Sequence, residues 1–439
     1  MPSSNRFKLL VMMVLEFFVW GAWYPLIFGY LPSLGFTPAE QTWILGCFPV
    51  AAIVGMFFSN QFADRNFAAE RFLAASHLVG GLAMVSLAWT RSFWPFFFAM
   101  LVHCLLYVPT ISIVNSIAFA HMKDAQKEFG IVRMGGTIGW ILAAWPMTFI
   151  LVDWDKVNAA PAGGFVSWLG TVLASGLTGP ALQAGTRWVF IVSGIASLAL
   201  SAYSLTLPHT PPKPVSAGVD RLAWLRALRL LRTPFILVLW LVTFVDATVH
   251  TLYFNWTGTF LGTPASAGGV GIAGNWIMPV MSIGQVAEIL TMAVLGVTLK
   301  KLGWRKTMIF GILGHAARFA VFAFLPQSQA VIILINLLHG IAYAFFFATV
   351  YIFVDAFFPS DVRASAQGLF NLMILGLGPL VANVLGPKFI SETFNHGGVV
   401  DFTSLFLVPC AAAIAAAVAL ALLFHPPARA QSQVAVQSG

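Results

Sequence analysis

The sequence predicts an all-α polytopic membrane protein of twelve spanning helices, and three observations predict it. Apolar stretches near membrane-spanning length recur along the whole chain. Of its 439 residues, 59% are hydrophobic and only 9% are charged, against about 25% charged in ordinary soluble domains. Almost every Lys and Arg falls in alternate connections between the apolar stretches. A run of about 20 apolar residues crosses the ~30 Å hydrocarbon core. No water is available there, so the backbone must bond within the run, and each run is a helix.

The elements follow in order. The first half places spans at 8–31, 43–62, 71–89, 94–120, 133–152 and 187–206. The second half places them at 234–261, 275–299, 307–325, 329–355, 363–387 and 402–424. Arg6 and Lys8 precede the first run, which continues past Trp20 and Trp23 without a small-residue cleavage site, so it is read as a retained helix. Segment 153–186 is rich in Gly, Ala and Ser and is expected as a partly ordered external loop. Between the halves, Pro208, Pro211, Pro212 and Pro214 lead into Arg221, Arg226, Arg229 and Arg232, a polar linker ending in a short basic amphipathic segment. The expected organisation is an N-terminal six-helix bundle (1–206), a cytoplasmic linker (207–233), a C-terminal six-helix bundle (234–425) and a disordered cytoplasmic tail (426–439).

Charge sets the orientation. Arg65, Arg71, Lys123, Lys127, the linker, Lys300, Lys301, Arg305, Lys306, Arg363 and Arg429 lie on one side, and Arg91, Lys156, Arg187 and Lys388 on the other. The positive-inside rule makes the first side cytoplasmic, with both termini there, in a multi-pass protein of the inner membrane. The net charge of +8 is therefore topological, and nucleic-acid binding is not expected. Cys47, Cys104 and Cys410 sit inside apolar runs and present no disulfide or metal spacing. No cofactor is expected.

Ionisable groups in mid-span cost at least about 2.5 kcal/mol and normally face a cavity or a partner. This chain places Glu16 in helix 1, His103 in helix 4, Arg133 at the start of helix 5, Asp246 and His250 in helix 7, Gln285 and Glu288 in helix 8, Arg318 in helix 9 and His339 in helix 10. Arg133, Thr137 and Trp140 recur at i, i+4 and i+7, which puts a cation, a hydroxyl and a large ring on one face. Gln285 and Glu288 share a face, as do His339 and Tyr343. Such sets suit a small, planar, hydroxyl-bearing solute. The structural alternatives are plain: Arg133 as a helix-end residue snorkelling to phosphate, Trp140 as a packing or lipid-facing ring, and Asp246 paired with Arg318 or a histidine as interhelical glue.

Phe62-Ala63-Asp64-Arg65 with Arg71 after helix 2, and Gly296, Lys300, Lys301, Gly303, Arg305 and Lys306 after helix 8, resemble the two copies of the loop motif of the major facilitator superfamily. That resemblance implies two six-helix bundles and a cytoplasmic gate in which Asp64, Arg65, Lys301 and Arg305 take part. Trp20-Gly21-Ala22-Trp23, Tyr107-Val108-Pro109-Thr110 with Asn115, Arg133 with Gly136-Thr137-Ile138-Gly139, Met281-Ser282-Ile283 with Gln285 and Glu288, and Arg363-Ala364-Ser365-Ala366-Gln367-Gly368 resemble the bacterial nucleoside:proton symporters of that superfamily.

The resemblance implies a secondary active transporter, not an enzyme, that imports nucleosides with protons by alternating access, as a monomer. It implies substrate contacts from Arg133, Thr137, Trp140, Gln285, Glu288, His339 and Tyr343, with His250 and Tyr253 the nearest candidates on helix 7. Ala344 stands where well-studied members carry an aspartate, so proton coupling is expected of Glu288 first, or else of Asp246, Glu16 or a histidine. The alternative is a superfamily transporter of another small solute, such as a sugar, a purine metabolite or a drug.

Overall fold

The apolar runs fold into helices in the computed structural model, which describes residues 3–55, 67–122, 125–161, 163–212, 228–358 and 363–426. The first half forms α1 (Ser3–Ser33), α2 (Pro38–Val54), α3 (Ala69–Ser86), α4 (Phe93–His121), α5 (Ala125–Ala144) and α6 (Trp188–Ser204). The second half begins with α7 (Pro234–Gly262) and a helical run Gly274–Phe324. Gly303 breaks that run with φ 72° and ψ 174°, dividing it into α8 (274–302) and α9 (304–324); the left-handed φ is one that glycine adopts without a Cβ penalty. Then come α10 (Gln329–Phe357), α11 (363–394) and α12 (Phe402–Leu423).

Eight helical stretches among the described residues are long and apolar enough to cross a membrane, and one of them is the α8–α9 run. The other three expected spans are α2, 17 residues long, and α3 and α5, whose polar residues dilute their apolar character. Two boundaries differ from expectation. Thr37 closes a capping box with Glu40, so α2 starts at Pro38 and not at 43. The polar turn 125–130 extends α5 at its N-terminal end, so Arg133 lies inside the helix and not at its start. The expected external loop is ordered: it carries short helices Trp154–Ala159, Phe165–Ala174 and Gly179–Gly185.

The chain divides into two compact units, residues 1–214 with 254–282, and residues 215–253 with 283–439. In the first, α1 packs along α5 and α6, α3 against α4 and α6, and α2 against α4. Leu9, Met12, Met13, Phe17, Leu73, Ile113, Val114 and Ile117 form its buried core. Gly139 lets α5 meet α1 directly, because a Cβ there would overlap the Val14 carbonyl. In the second, Trp240 Nε1 ties α7 to the Leu369 carbonyl of α11 at 3.1 Å. Phe319 of α9 stacks on Phe406 of α12 at 5.8 Å. Helices α10 and α11 carry π-helical turns at Tyr343–Ala348 and Leu372–Leu377, a feature that often marks functional segments. Exposed Leu, Val, Phe and Trp side chains cover the outer faces of most helices, as a lipid-facing surface requires.

Candidate functional site

In the first unit, two polar groups stand inside the apolar packing. The first is built on Glu16 of α1, which is 0% exposed. His77 of α3 puts Nε2 3.0 Å from Glu16 Oε2, and Thr110 of α4 donates to Oε1 at 2.8 Å. Tyr107 donates to the Glu16 carbonyl at 2.9 Å, and Ser197 of α6 meets His77 Nδ1 at 2.9 Å. Thr110 also contacts the Tyr107 carbonyl. These bonds tie α1, α3 and α4 through a single carboxyl group, and His77 extends the network to Ser197 of α6.

The second group is the face of α5 expected from its spacing. The Arg133 guanidinium lies over the Phe17 ring, 4.3 Å from its centroid, so a cation–π contact holds it against α1. Thr137 is half-buried on the same face. Trp140 meets Trp20 edge-on at 5.2 Å and Phe254 at 5.7 Å. Trp20 stacks on Phe48 at 4.6 Å, and Tyr24 closes the cluster against Trp20 at 5.7 Å. The buried Trp20 Nε1 has no hydrogen-bond partner among the described residues. An aromatic enclosure with an unsatisfied N–H suits a flat ligand that offers an acceptor.

In the second unit the predicted residues of α7 and α10 meet. His250 stacks on His339 at 4.9 Å, Tyr343 lies 6.0 Å from His250, and Tyr253 lies 4.7 Å from His339. Arg318 of α9 sits over the Tyr253 ring at 3.8 Å and donates to His339 Nδ1 at 2.8 Å. Tyr253 donates to Asn336 Oδ1 at 2.9 Å. His315, Arg318 and Asp246 are each 0% exposed, and His315 Nε2 is 3.7 Å from Asp246 Oδ2. Despite three histidines in one cluster, the described residues hold no group of three His, Cys, Asp or Glu side chains able to bind a metal.

On α8, Gln285 is buried with its Oε1 unpartnered among the described residues, and Glu288 is half-buried. The Glu288 backbone packs on Gly340 of α10 so closely that a Cβ on Gly340 would overlap it. Of the expected gate, Lys301 is exposed and Arg305 half-buried beside the α8–α9 break. Asp64 and Arg65 lie outside the described residues. His77, Ser197, His315 and Asn336 did not stand out in the sequence. Each is completed by a partner on another helix, which helical spacing along one segment does not reveal.

The model of the family described as nucleoside H+ symporter matches residues 3–429. YegT of Escherichia coli (strain K12), provisionally named a nucleoside transporter, is 31% identical over 394 residues, covering 89% of this chain and 85% of YegT. The xanthosine permease of the same organism is 27% identical over 419 residues, 92% of each chain. Among solved structures, the crystal structure of nucleoside transporter NupG superposes with a TM-score of 0.76 at 22% identity, over 97% of this chain and 100% of that one. At that identity the likeness speaks for the fold.

Proposed function

The chain belongs to the nucleoside H+ symporter family, and from that premise we propose how its residues divide the work. It is a multi-pass membrane transporter of the major facilitator fold that imports nucleosides together with protons by alternating access, and not an enzyme. The match of one family across residues 3–429 carries the reading.

Arg133 and Thr137 would bind polar groups of the nucleoside, and Trp140, in its aromatic cluster, would offer a ring edge or face to the base. A base–aromatic stack contributes roughly 1–3 kcal/mol. Gln285, whose buried Oε1 lacks a partner, would accept from a sugar hydroxyl or a base N–H, with Glu288 beside it. His250, Tyr253, His339 and Tyr343 would shape the remaining contacts. Lys301 and Arg305, with Asp64 and Arg65, would gate the cytoplasmic side. We further place the protein in the inner membrane with both termini inside, as a monomer built from repeat-related bundles 1–206 and 234–425 joined by 207–233.

Coupling requires that solute favour the protonated carrier and that the empty protonated carrier convert poorly between its two faces. One of the mid-span carboxyls Glu16, Asp246 and Glu288 would hold the proton. The test is uptake of radiolabelled uridine and adenosine into proteoliposomes under an inward proton gradient. Concentrative uptake that an uncoupler abolishes, and that nucleosides but not free sugars compete away, is the expected result. Uptake indifferent to the uncoupler would overturn proton coupling, and competition by sugars alone would favour the wider superfamily.

A further inference from the structure

The two halves repeat one buried constellation in two different states of completion. In the first half it joins α1, α3 and α4 through Glu16, His77 and Thr110. In the second it joins α7, α9 and α10 through Asp246, His315 and His339, with Arg318 between the two histidines. These are the first, third and fourth helices of each half. Both halves thus set a carboxyl on their first helix against an imidazole on their third.

The first constellation is closed, since both Glu16 oxygens and both His77 nitrogens have partners at 3.0 Å or less. The second is open. Both Asp246 oxygens, His315 Nε2 and Arg318 Nε are buried without hydrogen-bond partners among the described residues. The 3.7 Å from His315 Nε2 to Asp246 Oδ2 exceeds hydrogen-bond length.

Arginine decides the protonation pattern. A guanidinium only donates, and Arg318 gives Nη2 to His315 Nδ1 at 3.1 Å and Nη1 to His339 Nδ1 at 2.8 Å. Both Nδ1 atoms are therefore acceptors, and each neutral ring carries its hydrogen on Nε2. His315 points that N–H toward Asp246. Neither ring can take a further proton without giving up its bond to Arg318. Both oxygens of the Asp246 carboxyl keep their lone pairs free of hydrogen bonds among the described residues.

We propose that Asp246 is the proton-binding group of this transporter and that His315 and Arg318 are the positioning residues that report its charge to α9. The proposal rests on the proton-coupled reading above. Carrying a proton, Asp246 is neutral and can remain buried across the 3.7 Å gap from His315. When the proton leaves, the carboxylate becomes the acceptor that His315 Nε2–H lacks, and the gap closes toward the length of a charge-assisted bond, about 2.8 Å. Loss of the proton thereby draws α7 onto α9, and its return releases them.

The surroundings favour this site over its neighbours. On α7 itself, His250 and Tyr253 face the network, and a second cation on His250 would oppose Arg318. On α10, His339 is committed to Arg318. Helix α11 meets α7 at Ala247 through Gly378, which does not titrate, and α12 meets α9 through Cys410, whose thiol donates to the Ala316 carbonyl at 3.4 Å. On α8, Glu288 is half-buried where Asp246 is fully enclosed, which suits it to solute contact.

The experiment is pH-jump infrared difference spectroscopy of the full chain reconstituted in lipid, without solute, following the C=O stretch of protonated carboxyl groups. The wild type should show a titrating band that persists in Glu16→Gln and is lost in Asp246→Asn. If Asp246→Asn does not fold, Asp246→Glu should keep the band with a displaced midpoint, and His315→Gln should displace the midpoint without removing the band. In uptake, Asp246→Asn should lose gradient-driven accumulation and retain solute counterflow. A band that survives Asp246→Asn, or a midpoint indifferent to both Asp246→Glu and His315→Gln, overturns the proposal. A wild type that moves no nucleoside but loses its band in Asp246→Asn leaves the proton site standing and sinks the substrate reading.

Discussion

At the scale of single residues, the two buried carboxyls differ in what their surroundings demand. Glu16 is held through its carboxyl by His77 of α3 and Thr110 of α4 and through its backbone carbonyl by Tyr107 of α4, a set that suits a role in joining helices. Removing one member of a buried pair typically costs about 3–5 kcal/mol because the partner is left uncompensated. Glu16→Ala should therefore lower the thermal midpoint of the detergent-solubilised protein sharply, and Thr110→Val by less, as read by a temperature series of size-exclusion profiles. An unchanged midpoint in Glu16→Ala would show that the carboxyl does not hold the helices together. The sequence made Glu16 and Asp246 conspicuous because a carboxyl in an apolar run is rare and costly. It also showed the α5 face of Arg133, Thr137 and Trp140, whose common side follows from spacing along one helix. It did not show His77 or His315, because their meaning comes from contacts across helices separated by 61 and 69 residues in the chain.

At the scale of elements, periods and lengths carried most of the information, and the exceptions have local causes. The α2 start moved because a capping box outweighs the first apolar residue as a boundary. The π turns of α10 and α11 left no mark on the apolar pattern. The start of α3 shows a further tie. Glu70, ahead of the expected span, lies 2.8 Å from His209 Nδ1 and accepts from the Thr210 amide at 2.9 Å, while the Ala69 amide donates to the Thr210 carbonyl at 2.9 Å. Burial pushes the Glu70 carboxyl upward, but the His209 and Thr210 hydrogen bonds outweigh it and hold the group below its ordinary range. A carboxyl depressed on folding contributes stability that is fully present above its unfolded value and is lost as pH falls through the folded one. Acidification into and below the ordinary glutamate range, about pH 4.3, should therefore loosen the segment that follows α6. Hydrogen exchange at 207–212 should rise there in the wild type. In Glu70→Gln the exchange should already be raised at neutral pH and respond little to acid, and a wild-type pH response in that variant would exclude Glu70 as the cause.

At the scale of the whole molecule, the charge asymmetry is a statement about direction that packing alone does not make. Short loops rich in Lys and Arg stay on the cytoplasmic side, which assigns Lys300 and Arg91 to opposite faces of the membrane. The three native thiols are free and buried, so an impermeant maleimide should find a quiet background in the unmodified chain. Lys300 and Arg91 are both exposed, so single cysteines there should react without unfolding. In right-side-out vesicles, Arg91→Cys should label at once and Lys300→Cys only after the membrane is opened. The order should reverse in inside-out vesicles. Labelling of both from one side would break the alternation of connections on which the twelve-span reading depends. Reversed labelling would keep the fold and turn the molecule over, placing the basic break between α8 and α9, and with it the proposed gate, on the outer face. An importer driven by an inward proton gradient with its basic loops inside requires the first result.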